Sequence, residues 1–512
     1  VKQKGSATIN DAKGLYFINA QGKDADKPTQ IWTQGETESS SCWFPTIDKP
    51  NQKTTQEIYM TVPKQYVTLS NGILKSSENL GENLRTDHGV MDKKHAPYLF
   101  FMGVGEYAVI KDKWRNIDVD YYVEKEYEPY AKQIFGNTPE MIEFFSKKLN
   151  YDFPWQKYAQ IVGRDYVSGA MENTTAVIHE ESAQQKAGDL ADENKWEDVI
   201  AHELFHHWFG DLVTAESWSN LTVNESFADY SEYLWNEYKY GKDEADYKRL
   251  KSLRNSKADP RNFGKDLVRF NYESREDMFD GVSYNKGGGI LHMLRNYLGD
   301  DAFFAGLSDY LKTNEYGTGE AHQLRLSLEK VSGKDLNWFF NQWYFGKGYP
   351  KLEVKSTFDP MKKQVTVNVA QTQEEKFEFP LSIDVLESGK ISRKEVWVTA
   401  KAKNDFVFDV TKNPELINAN PEGLLLSDIK QDKTPEQLYL QYTTAKDLYS
   451  KYTAIEEAKD QVSKNPFADK LYAAALKDKF YRNRLLALEG LPEDPKSFLA
   501  DVEKLAQNDE KN

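Results

Sequence analysis

Cysteine is nearly absent: Cys42 is the single one in 512 residues. That excludes an intrachain disulfide and a thiolate zinc site, and its neighbours Trp43, Phe44 and Pro45 predict a buried, inert thiol. Long apolar runs are missing as well. Without a stretch of about eighteen apolar residues, no transmembrane helix is expected. Positive charge is in deficit, with 66 Lys and Arg against 81 Asp and Glu and a net charge of −15. This argues against nucleic acid or an anionic membrane as the main partner. No internal repeat or low-complexity tract interrupts the chain. It opens on Val1 with neither an initiator methionine nor a signal-like apolar segment. The reading is therefore of a soluble protein, favoured as a monomer, whose true start lies upstream and whose compartment (cytoplasmic or periplasmic/secreted) is not distinguished.

Core-forming material is plentiful, at 39% apolar and 13% aromatic residues. The length exceeds a single core, and the patterning predicts an α+β multidomain fold. Residues 1–108 read as a β-domain, with strand-like runs at Tyr16–Ile18, Ile58–Val62 and Tyr66–Leu69 and a last buried strand along Tyr98–Gly105. Residues 109–348 are mainly helical, and Thr138-Pro139 reads as an N-cap followed by proline at the first helical position. Beyond the linker-like Gly346–Pro350 the period becomes two: Val365, Val367, Val369, then Phe377 to Val385, then Phe406, Phe408, Val410. That predicts a small β-sandwich over 349–432. The capping-box string Thr434-Pro435-Glu436-Gln437 opens a short C-terminal α-helical segment over 433–512.

The most informative stretch is His202-Glu203-Leu204-Phe205-His206, followed by Glu225. Helical spacing puts His202 and His206 on one face, able to offer two imidazole nitrogens to one tetrahedral Zn²⁺, with Glu203 one step round. Eighteen residues separate His206 from Glu225, room to finish one helix and start a second against it. Two histidines, one carboxylate and a water make a catalytic zinc site, and Glu203 is placed to take the water's proton. An HExxH string alone arises by chance in roughly one chain in twenty of this length. Against an ordinary amphipathic helix stand Ile200, Phe205, Trp208 and Phe209, which make a buried Glu203 costly without a partner. Phe227, Tyr230, Tyr233 and Leu234 do the same for Glu225.

A second motif, Gly169-Ala170-Met171-Glu172-Asn173, follows the strand-like Ala159–Val162. Gly169 suits close approach by another backbone, and Glu172 sets a carboxylate beside it. As an edge strand the segment could pair with an extended peptide and bind a cation at its end; an ordinary exposed strand end accounts for the residues equally well. Taken together, GAMEN, HExxH, the eighteen-residue gap and Asn224-Glu225-Ser226-Phe227-Ala228 resemble the M1 family of zinc aminopeptidases, the gluzincins, close to the aminopeptidase N and leukotriene A4 hydrolase group. The resemblance covers nearly the whole chain. Thr33–Glu36 with Cys42–Pro45 and Asp48–Pro50 is similar to the family's N-terminal-domain segment, and Met278–Gly287 to the segment bearing its catalytic tyrosine.

The resemblance implies a thermolysin-like zinc catalytic domain over 109–348, behind an N-terminal β-sheet domain that lacks its first strands and ahead of a truncated C-terminal helical segment. It implies one Zn²⁺ held by His202, His206 and Glu225, with Glu203 as general base and proton shuttle. Tyr284 would hydrogen-bond the oxyanion, and Glu172, aided by Glu36, would hold the substrate's α-ammonium. Gln34 would line the same pocket, with Gly169, Ala170, Met171 and Asn173 beside the substrate. The implied activity is removal of the N-terminal amino acid from peptides with a free N-terminus. Ser226 departs from a usual glycine, His207 from glutamine and Asp211 from asparagine. His207 lies about 100° round the helix from His206, so it reads as supporting or structural rather than a ligand. Two rival readings share this scaffold: an epoxide hydrolase resembling leukotriene A4 hydrolase, and a catalytically silent peptide-binding protein. Nothing in the sequence specifically indicates a lipid tunnel, and the intact site residues argue against silence.

Overall fold

The computed structural model describes residues 13–508. Its architecture is α+β and multidomain, with N-terminal sheets, a region of mixed sheet and helices carrying the motifs, a small β-sandwich and C-terminal helices. The described chain divides into two compact units. Residues up to Trp235, with Lys265–Gly346, form one; Asn236–Gly264 and the residues from Lys347 onward form the other.

The first unit opens with an antiparallel sheet in the order Gly14–Ile18, Gln30–Gln34, Met102–Gly105, Val67–Ser70. The expected strand Tyr98–Gly105 is only half realised, because Pro97–Leu99 makes a 3₁₀ turn. Asn71 explains the break: its side chain donates to Leu99 O and accepts from Phe101 N, taking groups a ladder would use. A second sheet runs Thr54–Pro63, Leu84–His95, Ile73–Leu80. Its Ile73–Leu80 strand is exposed along most of its length, so it lacks the alternation that announces a half-buried strand. Cys42 is half-buried rather than buried.

A five-stranded mixed sheet follows, in the order Ala170–Met171, Val177–Glu180, Lys157–Gly163, Ile117–Glu124, Tyr107–Trp114. The middle three strands are parallel, and the outermost, Ala170–Met171, pairs antiparallel with Val177–Glu180. The GAMEN segment is thus a sheet edge. Thr138 proves to be the first residue of its helix, with Asn137 at the cap; its hydroxyl donates to Phe135 O at 2.6 Å. The helix Glu197–Phe205 carries Glu197 and Asp198 in its first turn, favourable against the helix dipole, and buries Ile200, Ala201, Leu204 and Phe205.

In the second unit, Gln364–Gln371 lies between Lys351–Asp359 and Lys403–Asp409, and Phe379–Glu387 between Lys390–Val398 and Leu416–Ala419. Val365, Val367 and Val369 are buried, as are Phe379, Leu381, Ile383 and Val385, which is the period-two signature of sandwich strands. Thr434 caps the helix Pro435–Thr444 with a complete capping box. The C-terminal helices close round Ile455, Leu471, Tyr472 and Leu476. Among the described residues no helix is long and apolar enough to cross a membrane.

Candidate active site

His202 sits in the last turn of Glu197–Phe205, and His206 caps its end. The chain then turns at Gly210, whose φ of 141° suits glycine; a Cβ there would stand 3.0 Å from His206 Nδ1. Glu225 projects from the first turn of the next helix, Thr222–Lys239. Its Oε2 lies 3.4 Å from Nε2 of each histidine. On the far side of the rings, His202 Nδ1 is 2.9 Å from Glu232 Oε1 and His206 Nδ1 is 2.9 Å from Phe209 O. With Nδ1 donating to these oxygens, each ring turns its Nε2 towards Glu225.

The donor atoms of His202, His206 and Glu225 lie within 4.8 Å of one another. Burial would raise the Glu225 carboxyl, but the two imidazoles hold it down at about 2. Burial would likewise lower His206, yet Glu172 and Glu225 push it up to about 9. Two nitrogens and one carboxylate oxygen on two helices fit a tetrahedral Zn²⁺ with a fourth position open. The surplus of buried carboxylates around them suits a dication.

Glu203 is buried, and its Oε2 has no hydrogen-bond partner. It joins Glu172 and His206 in a second group of atoms within 4.8 Å of one another. Burial pushes its carboxyl up to about 8 against the pull of His202 and His206. Tyr284 lies in a π-helical turn, Val282–Lys286, and stacks on His202 with ring centroids 6.0 Å apart. Burial and the carboxylates Glu225, Glu36, Glu172 and Glu203 hold its phenol well above the usual range. A phenol so held stays protonated and able to donate.

Glu36, Glu172 and Glu225 form a third group within the same 4.8 Å limit. Burial, then the neighbouring Glu172, pushes Glu36 well above the ordinary carboxylate range. Gln34 Nε2 lies 3.3 Å from Met171 Sδ. Gly169 is open, with nothing within 4 Å of where a Cβ would stand, and Ala170 is half-buried beside it. Asn173 is fully buried, and neither polar atom of its side chain has a partner.

Sequence reasoning missed several neighbours. Tyr98 Oη donates to Glu172 Oε1 at 3.5 Å and accepts from Asn224 Nδ2 at 3.2 Å. Tyr166 Oη donates to Gln34 Oε1. Glu232 could have been found, because it lies seven residues after Glu225 on the same helix face; Tyr98, inside an apolar run, gave no signal. His207 points away from the donors: Nε2 accepts from Thr175 N at 2.9 Å and Nδ1 faces Glu203 O at 3.2 Å. It is a structural tie between the metal-motif helix and the chain after Glu172.

Residues 134–343 match the Peptidase family M1 domain, and residues 6–99 match the Peptidase M1 N-terminal domain. The chain is 29% identical over 369 residues to tricorn protease-interacting factor F2 of Thermoplasma volcanium, covering 68% of this chain and 44% of that protein. It is 28% identical over 364 residues to aminopeptidase M1 of Arabidopsis thaliana, covering 68% and 40%. The chain thus spans less than half the length of these curated relatives. A crystal structure of Legionella pneumophila aminopeptidase A in complex with aspartic acid superposes with a TM-score of 0.81 at 19% identity, over 97% of this chain and 61% of that one; that likeness concerns the fold. Matched through both its N-terminal sheets and the segment that carries the histidine–glutamate cluster, the chain belongs to peptidase family M1.

Proposed function

We propose that this chain is a zinc-dependent aminopeptidase that removes the first residue from peptides with a free N-terminus. One observation carries the reading: Glu225 belongs both to the His202–His206 group and to the Glu36–Glu172 group. A cation-binding pair of carboxylates thus stands one residue's reach from the metal donors, so a peptide anchored by its ammonium presents its first amide at the reaction centre.

Held by His202, His206 and Glu225, Zn²⁺ would supply a Lewis acid that acidifies a water and polarises the scissile carbonyl. Glu203, whose Oε2 is unpartnered, takes the attacking water's proton and delivers it to the leaving nitrogen. Tyr284 donates its hydroxyl hydrogen to the carbonyl oxygen as negative charge grows there. Glu172 and Glu36 neutralise the α-ammonium, and their buried surroundings disfavour a neutral internal peptide. The free edge of Ala170–Met171 lies where an extended substrate backbone would pair.

Aminoacyl chromogenic amides test this directly. They should be hydrolysed, their N-acetylated forms should not, and a chelator should stop turnover until zinc is restored. Rapid cleavage of N-blocked peptides would make the chain an endopeptidase. Tyr284→Phe should lower kcat by about 10²–10³-fold, as loss of one oxyanion donor does. A change confined to KM would assign the tyrosine to substrate binding.

A further inference from the structure

The Tyr284 turn is tied to the helix that carries Glu225 by two side chains of that helix. Ser226 Oγ, one residue past Glu225, donates to Ser283 O, one residue before Tyr284, at 2.6 Å. Thr222 Oγ1 lies 2.6 Å from Ser226 Oγ; with the Ser226 proton committed to the carbonyl, Thr222 is the donor. Ser226 is 1% exposed and Ser283 is fully buried. One turn further along, Asp229 Oδ1 accepts from Asn285 Nδ2 at 3.0 Å. Ser226 and Asp229, three apart, share a helix face and grip the residues on both sides of Tyr284.

The π-helical geometry gives the Ser226 bond its purpose. The Gly287 N–H goes to Val282 O and Tyr284 O, passing over Ser283 O. The hydroxyl of Ser226 serves that carbonyl across the gap between the elements. The approach leaves no room for a side chain on the facing residue: a Cβ on Gly287 would stand 1.8 Å from Ser226 Oγ. Ser226 and Gly287 are therefore a matched pair, and Ser226 is a position at which the sequence departs from the motif it otherwise resembles.

We propose that Ser226, seconded by the Asp229–Asn285 bond, is a positioning residue that sets the Tyr284 hydroxyl against the metal donors. Glu225 and the Tyr284 turn then share one rigid reference, because the helix that presents the carboxylate also holds the carbonyl next to the tyrosine. Groups that must meet a developing charge need placement within a fraction of an ångström. Two hydrogen bonds from one helix face provide it.

The proposal rests on the reading of Tyr284 as the oxyanion donor, and a double-mutant cycle separates the two. With the zinc-loaded chain and a chromogenic aminoacyl amide, Ser226→Ala is expected to lower kcat about tenfold with KM and zinc content unchanged, in the range that misplacing a reacting group costs. In the Tyr284→Phe background the same substitution should change kcat by less than about twofold, since the hydroxyl it positions is gone. Calorimetric affinity for a tetrahedral phosphinic peptide analogue should fall with kcat, while affinity for a free amino acid product stays. Asn285→Ala should repeat the pattern more weakly, and it serves in place of Ser226→Ala if that variant does not fold. An undiminished kcat in Ser226→Ala, full additivity with Tyr284→Phe, or a loss that tracks zinc content overturns the positioning role. A Tyr284→Phe variant that keeps full kcat overturns the oxyanion reading itself.

Discussion

Glu203→Gln is expected to retain the metal and lose about 10²–10⁴-fold in kcat, the share that a positioned base contributes. The amide matches the carboxylate in shape, so the buried wall beside His206 stays filled and the three metal donors keep their places. What disappears is the capacity to accept a proton. Glu203 Oε2 is buried without a partner, a costly condition for a carboxylate that does nothing. Burial pushes that carboxyl up to about 8 in the metal-free chain, and a dication among the neighbouring donors would oppose the shift by favouring the charged form. Measuring kcat alongside bound zinc decides the matter. A variant with full zinc and full turnover would remove Glu203 from the mechanism.

The second large effect concerns the amine. Glu172→Gln should lower kcat/KM on free-amine substrates by roughly 10²–10³-fold, the range expected when one partner of a buried ion pair is lost. Glu172 is almost wholly buried, and Tyr98 Oη is the hydroxyl beside it, so little solvent is available to replace the missing charge. Glu36→Gln should cost less, because Glu172, with Tyr98 Oη beside it, remains to hold the ammonium. Neither variant should gain activity on N-acetylated substrates. Free-amine hydrolysis undiminished in Glu172→Gln would show that the ammonium binds elsewhere.

Legibility varied with the range of the interaction. Alternating valines over Val365–Val369 announced a sandwich strand, because one buried face imposes period two. The exposed Ile73–Leu80 strand gave no such signal, since solvent on both sides imposes no pattern. The apolar run at Tyr98–Gly105 looked continuous, yet Asn71 from a separate segment claims its backbone groups at Leu99 and Phe101. Thr138 and Thr434 both precede proline. Only Thr434 caps, because Gln437 completes its box, whereas the Thr138 hydroxyl bonds back to Phe135 O.

The sequence by itself determined the cluster of side chains from which the proposed reaction centre is built. His202, Glu203 and His206 lie within a little over one helical turn, and four-residue spacing on a helix puts the two histidines on one face, with Glu203 one step round, whatever surrounds them. Tertiary structure alone decided how the rest reaches them: Gln34 meets Met171 across 137 positions, Tyr98 meets Glu172 across 74, and Ser226 meets the Tyr284 turn across 57. Contacts between distant segments depend on how whole elements pack, and packing leaves no periodic mark on either segment.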